Sequence, residues 1–256
     1  MAINFPTSLD NFTNPVSGNT LDSPSHSLQH SDINDAVEAM QRKVGVGTAV
    51  AGSASAGQVL TISAAGTSTW STPTTPGFVQ VVPASVAVGS GSGSVDANGT
   101  ISFSGVTSIS VNNCFSSAYK NYQIIFNASP NTGANAMRLR MRAGGTDNSS
   151  LNYAFGASYN NSSGAGGVIT SSTANTIAYI GDIYDRGAII SILISNPFVT
   201  DYTTYWFNAM TNYSVNTGLT SAFGGGGLSV TTSYDGFSLF PNTNNMTGNI
   251  SIFGYR

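Results

Sequence analysis

Enzymatic chemistry needs side chains that ionise, coordinate or attack, and this 256-residue chain is sparing with them. Its two histidines, His26 and His30, stand near the N-terminus, and its one cysteine is Cys114. From residue 77 onward there is no His and no Glu, so neither a Ser-His-Asp relay nor a histidine base can form within that stretch. The acids there are Asp96, Asp147, Asp182, Asp185, Asp201 and Asp235. A glycosidase needs two carboxyls flanking a sugar. The best-placed pair is Asp182 and Asp185, in Gly181-Asp182-Ile183-Tyr184-Asp185-Arg186-Gly187. That run reads first as a tight inter-strand turn with a local salt bridge, second as a sugar or ion contact, and last as a catalytic site. The chain is expected not to be an enzyme. His26 and His30 have the i, i+4 spacing of a metal pair on a helix, and in a trimer they could ring a metal or an anion. Ser23-Pro24 precedes them, and docking or hydrogen bonding is the favoured role, so no metal or cofactor is assigned. Cys114 has no disulfide partner and reads as a small buried hydrophobe.

The binding candidates are richer. Arg138, Arg140 and Arg142 alternate with Met137, Leu139 and Met141, and a period of two sets three guanidinium groups on one face of one strand. They suit a solvated face paired with Asp on a neighbouring strand, or contact with an adjacent subunit or anionic lipopolysaccharide. Tyr184 stands within the Asp182–Asp185 run. Tyr202, Tyr205, Trp206, Phe207 and Tyr213 could stack on sugar rings or fill a core or subunit interface. Alternation predicts Trp206 on the face opposite Tyr205 and Phe207.

Positioning these residues requires a fold, and composition limits which one. Charged residues are 7% of the chain, against about 25% in ordinary soluble domains. Apolar residues are 40%, with 13 Phe and 11 Tyr, so the chain can fold while hydroxyls and amides replace charged surface. The net charge of −3 and the lack of any Lys/Arg run argue against nucleic acid as a partner. No stretch of 18 apolar residues occurs, so no membrane insertion is expected. Met1–Pro6 does not look like a signal peptide, which implies synthesis in a bacterial cytoplasm.

Four segments follow. Residues 1–31 carry turn signals at Asn14-Pro15, Ser17-Gly18 and Ser23-Pro24, and read as an extended segment that orders on a partner. Residues 32–45 are the one clear helix, capped by Asp32 and ending at Arg42, Lys43 and Gly45. Ile33, Val37, Met40 and Val44 are spaced as the seam of a coiled coil. So short a helix needs a neighbour or copies of itself. Residues 46–76 are a Gly/Ser/Thr-rich stalk in which Gln58–Ile62 and Ser68–Thr72 could pair as a hairpin, with Trp70 covered only if copies pack about an axis. Residues 77–256 read as strands separated by turn clusters at Ser90–Ser94, Asn131-Thr132-Gly133, Gly144–Asp147 and Gly224–Gly227, the pattern of a β-sandwich or jelly roll.

Three motifs carry a resemblance. The opening Asn4-Phe5-Pro6-Thr7-Ser8-Leu9-Asp10, with Asp22–His30 and Asn34–Gly45 after it, is similar to the start of many tailed-bacteriophage tail-fibre proteins. The Gly57-Gln58-Val59-Leu60-Thr61…Gly66…Trp70…Pro73 run resembles a stalk motif of such fibres, and Gly248–Arg256 resembles the last strand of their β-sandwich heads. The resemblance implies a homotrimeric virion protein. Residues 1–45 would dock on a tail, baseplate or capsid protein. The jelly-roll-like head would adsorb to host lipopolysaccharide or another surface glycan, or act only as a structural head-fibre, collar or decoration.

Overall fold

The computed structural model describes residues 54–62, 67–73, 77–161, 164–214 and 218–255, with isolated positions 17, 30, 33–35, 37, 38, 40 and 41 before them. The attachment segment at 1–31, His26 and Val44 therefore fall almost wholly outside the described residues. The chain divides into two compact units, Met1–Thr75 and Pro76–Arg256.

In the first unit the described positions from His30 to Gln41 are helical. Ile33 and Met40 lie exposed, while Val37 is partly buried. Strands β1 (Val59–Ile62) and β2 (Ser68–Ser71) form the expected hairpin, with Leu60 opposite Trp70. The Thr61 hydroxyl donates to the Thr69 carbonyl at 3.1 Å and bonds the Ser71 hydroxyl at 3.0 Å. These bonds fix the register where side-chain packing is thin. Trp70 is half-buried.

The second unit is all β. Its strands are β3 (Val79–Gln80), β4 (Ser85–Val88), β5 (Ser92–Val95), β6 (Ile101–Val106), β7 (Ile109–Asn112), β8 (Asn121–Pro130), β9 (Asn135–Ala143), β10 (Thr146–Asp147), β11 (Tyr153–Asn161), β12 (Gly166–Asn175), β13 (Ala178–Ile183), β14 (Ala188–Ser195), β15 (Thr204–Ser214), β16 (Gly218–Leu228), β17 (Gly236–Pro241) and β18 (Met246–Tyr255). They build two antiparallel sheets. The long one runs β12-β11-β16-β15-β14-β8-β18-β6-β5, with β3 also on β18. The short one runs β10-β9-β17-β7-β4, with β13 also on β9. Eight strands form two sets of four, β6-β18-β8-β14 and β7-β17-β9-β13, an order compatible with a jelly roll. The hairpins β11–β12 and β15–β16 widen the first set beyond β14.

Period-two burial explains the layering. Along β8, Tyr122, Ile124, Phe126 and Ala128 are buried and alternate with half-exposed residues. Ile190, Ile192 and Ile194 of β14, Phe207 of β15, Ile250 and Ile252 of β18, and Leu139 and Met141 of β9 complete one shared core. Tyr179 of β13 meets Phe207 edge-on at 5.7 Å between centroids, joining the two sheets.

Several expectations require correction. Gly224–Gly227 is not a turn. It continues β16 and pairs with β11 and β15 on either side. The approach is so close that a Cβ on Gly226 would stand 2.1 Å from the Ala154 carbonyl oxygen. Glycine here admits two neighbouring backbones rather than a bend. Ser92–Ser94 belongs to strand β5. Strands β5 and β12 have little apolar alternation, and pairing with a neighbour rather than propensity places them.

Candidate functional site

The long sheet leaves its outer face open. Alternation turns Ile189 and Leu193 of β14, Trp206 and Met210 of β15, and Leu219 and Phe223 of β16 outward, and all six are exposed. Register sets them side by side: Leu193 opposite Trp206, Ile189 opposite Met210, and Phe223 opposite Asn208. None of the ten strands of this sheet carries Asp, Glu, Lys, Arg or His.

At one end the face deepens into an open groove of about 710 Å³. Ile189, Met210 and Leu219 supply apolar surface, Asn127, Asn212 and Asn249 supply amides, and Asp185 and Arg186 stand at the rim. Asn127 Nδ2 donates to Asn249 Oδ1 at 3.1 Å. That bond leaves one amide oxygen and one amide NH2 group of the pair facing the groove, and reversing both amides leaves the same complement. The groove lies away from the point where the chain enters the unit. Phe78 packs on Tyr255 at 4.9 Å, and Tyr255, Asn121, Ser195 and Thr204 share a row at that end. Gly248, Ala128, Ala188 and Thr211 share the row at the other.

The short sheet holds the arginines. Met137, Leu139 and Met141 point into the core, and Arg138, Arg140 and Arg142 lie on the other face. Arg142 is buried. Its Nε donates to Asn112 Oδ1 at 3.1 Å, and one terminal nitrogen donates to Ser110 Oγ at 3.1 Å and Ser238 Oγ at 3.0 Å. It also pairs with Asp147 and donates to the Gly145 carbonyl. Arg140 Nε donates to the Thr176 carbonyl at 3.0 Å, and its guanidinium sits 5.0 Å from the Phe240 ring centre. Arg138 lies 5.5 Å over the Tyr179 ring. The row is thus engaged within the chain, and Arg142 serves the fold.

The fold gives Asp182 and Asp185 different surroundings. Asp182 belongs to β13, beyond the irregularity between Tyr179 and Asp182, and Gly181 there has φ +116°. The Tyr179 hydroxyl donates to Asp182 Oδ2 at 2.9 Å. Burial raises the Asp182 pKa, and the Tyr179 bond and the Arg138 charge work against that rise. Burial also pushes the Tyr179 phenol upward, aided by the Asp182 charge. Asp185 and Arg186 stand exposed in the turn that follows, with Tyr184 half-buried beside them. Only Asp185 of these acids reaches the groove.

Tyr202 is exposed near the end where Phe78 enters, and Trp206 stands in the middle of the open face. Tyr205 and Phe207 point into the core. Cys114 is buried, and its surroundings hold the thiol protonated. Among the described residues no group of three or more His, Cys, Asp or Glu could hold a metal ion, and no helix is long and apolar enough to cross a membrane. Comparison with family models and with curated proteins returned no match.

Sequence reasoning missed Asn127, Ile189, Met210, Leu219, Phe223 and Asn249. One signal was present. Ala188–Ser195 reads AIISILIS, an apolar run of the kind a strand shows when both its faces are covered.

Proposed function

We propose that this chain is a virion fibre or spike subunit of a tailed phage, homotrimeric, with a jelly-roll head that adsorbs to host surface glycans. Residues 1–45 dock on a tail, baseplate or capsid protein of the particle, and the head carries adhesion rather than catalysis. The observation that carries this reading is the groove at Asn127, Ile189, Met210 and Asn249. It joins apolar surface for the C–H faces of a sugar to amides that both donate and accept, the combination by which small polar ligands are oriented. Copies of a weak site on one particle multiply its affinity.

The test is binding of the full chain to lipopolysaccharide-bearing cells and to purified surface polysaccharide. Saturable binding that Met210→Arg and Asn249→Ala both weaken supports the reading. A second reading is a head-fibre, collar or decoration protein without receptor binding. The aliphatic character of the groove floor, which offers no ring for stacking, favours it. A chain that binds no polysaccharide and still joins particles establishes that second reading.

A further inference from the structure

We propose that a second copy of this chain packs on the central band of the long sheet's outer face, formed by Leu193, Trp206, Phe223 and Val168. The heads themselves then hold the assembly together, and the helix near the N-terminus is not its only contact. The inference rests on the self-association in the proposed function, names the face that carries it, and does not depend on adhesion.

Three observations converge. The first is the sequence of β14. Its outward residues alternate Ile189 and Leu193 with Ser191 and Ser195, against Ala188, Ile190, Ile192 and Ile194 inward, yet among the described residues this unit covers only the inward side. The water-facing side of an antiparallel sheet is ordinarily polar, and two exposed large aliphatic side chains on one strand depart from that alternation.

The second is charge. With no Asp, Glu, Lys, Arg or His on any of the ten strands, the face repels no copy of itself and leaves no buried charge unpaired when covered. The charged side chains of the described unit lie on β9, β10 and β13 or in loops. Depletion of charge at the centre of a patch, with Trp and Phe present, is the compositional mark of a protein interface.

The third is area. Leu193, Trp206, Phe223 and Val168 are 36%, 48%, 49% and 74% exposed. At full areas of roughly 150–250 Å² for large apolar side chains, they offer on the order of 400 Å² of apolar surface. Gln123, Ser158, Ser191 and Asn208 lie between them by register. Together the band approaches the ~800 Å² per partner of a standard interface, with an apolar share near the usual one. Self-association also accounts for the middle of the face, whereas the amides and the charged rim gather at the groove.

Trp70 and Trp206 are the only tryptophans, so Trp70→Phe makes Trp206 the sole reporter. Acrylamide quenching of the full-length Trp70→Phe chain, read with sedimentation velocity across a dilution series, is the first measurement. Trp206 is expected to be shielded in the assembly and to open on dilution. The second measurement compares Ile33→Asp/Met40→Asp, which removes the helical seam, with the same chain carrying Trp206→Glu and Phe223→Glu. Loss of roughly 100 Å² of buried Trp206 surface corresponds to association weakened about fiftyfold or more.

A wild-type chain that is monomeric at micromolar concentration overturns the proposal. So does a Trp206 as open to acrylamide in the assembly as in the dilute chain, or association unaffected by the two Glu substitutions. Shielding that appears only when polysaccharide is added makes the band a ligand platform, which sinks this proposal and leaves adhesion standing. Shielding without any polysaccharide binding supports the subunit contact and removes adhesion.

Discussion

The Arg142–Asp147 pair allows a quantitative test of how the short sheet is held. Arg142 is 11% and Asp147 27% exposed at the side chain. The guanidinium also donates to Asn112, Ser110, Ser238 and the Gly145 carbonyl, while the Ser238 hydroxyl donates to Asp147 Oδ1 at 2.7 Å. Breaking a fully buried pair by removing one partner costs about 3–5 kcal/mol, and an exposed pair is worth about 0–1 kcal/mol. Asp147→Ala leaves the arginine its neutral acceptors, and Asp147 itself meets some water. A loss of about 2–3 kcal/mol is therefore expected. At about 2–4 °C per kcal/mol for a unit of this size, the melting temperature falls by roughly 4–12 °C. Arg142→Met keeps most of the stem's packing, and in the double variant no guanidinium is left without its counter-charge. The two losses should therefore combine to less than their sum, by about 1–2 kcal/mol. Urea unfolding of the four proteins at one fixed concentration measures the cycle, since assembly shifts apparent stability by mass action. Strict additivity, or an Asp147→Ala loss below about 0.5 kcal/mol, would show that water already screens the pair and that the network does not hold β7, β9, β10 and β17 together.

Other outcomes follow from single residues. The raised Asp182 pKa means the folded state holds that proton more tightly than the unfolded chain. Its contribution is thus fully present below the ordinary carboxylate pKa and is lost as pH rises through the raised folded value. Asp182→Asn should flatten this part of the stability profile in denaturant titrations from acid to neutral pH, and parallel profiles for variant and parent would refute the assignment. Gly226→Ala places a Cβ against the Ala154 carbonyl between two paired strands, and should cost about 1–3 kcal/mol in the same unfolding assay. If Gly226→Ala is neutral, the run is looser than a strand. Association through the uncharged face should persist between low salt and 1 M salt, where the Debye length falls to about 3 Å. Dissociation by salt, followed by light scattering, would point instead to the charged loops or the short sheet.

The all-β class, the hairpin in the first unit and most strands of the second were legible because they rest on local signals. Tyr122–Ala128 and Met137–Arg142 alternate cleanly, and each lies inside a strand of the fold. Gly224–Gly227 was misread because glycine is ambiguous in sequence. The same residue type serves a turn needing positive φ and a strand needing close approach, and only the positions of Ala154 and Gly156 decide between them. The Asp182–Asp185 run reads first as an inter-strand turn, and it is one, with Gly187 N–H donating to the Tyr184 carbonyl at 2.8 Å between β13 and β14. The two acids are three residues apart in the chain, yet the strand ends between them. One becomes a half-buried partner of Tyr179 and the other a lining residue of the groove.

The open face was hidden by a deeper ambiguity. An apolar run such as Ala188–Ser195 is consistent with a strand covered on both sides but does not say by what. In many folds the second cover is a helix or another sheet of the same chain, and the reading ends there. Here the inward side meets the short sheet and the outward side meets nothing from this unit among the described residues. The sparse charge points the same way. It is not thinned evenly but withdrawn from the whole long sheet and kept on β9, β10, β13 and the loops. A face made only for water has no reason to exclude every charged side chain across ten strands, since surface charge costs little there and favours solubility. Exclusion that complete is what a surface requires when each charge it carried would be desolvated on contact.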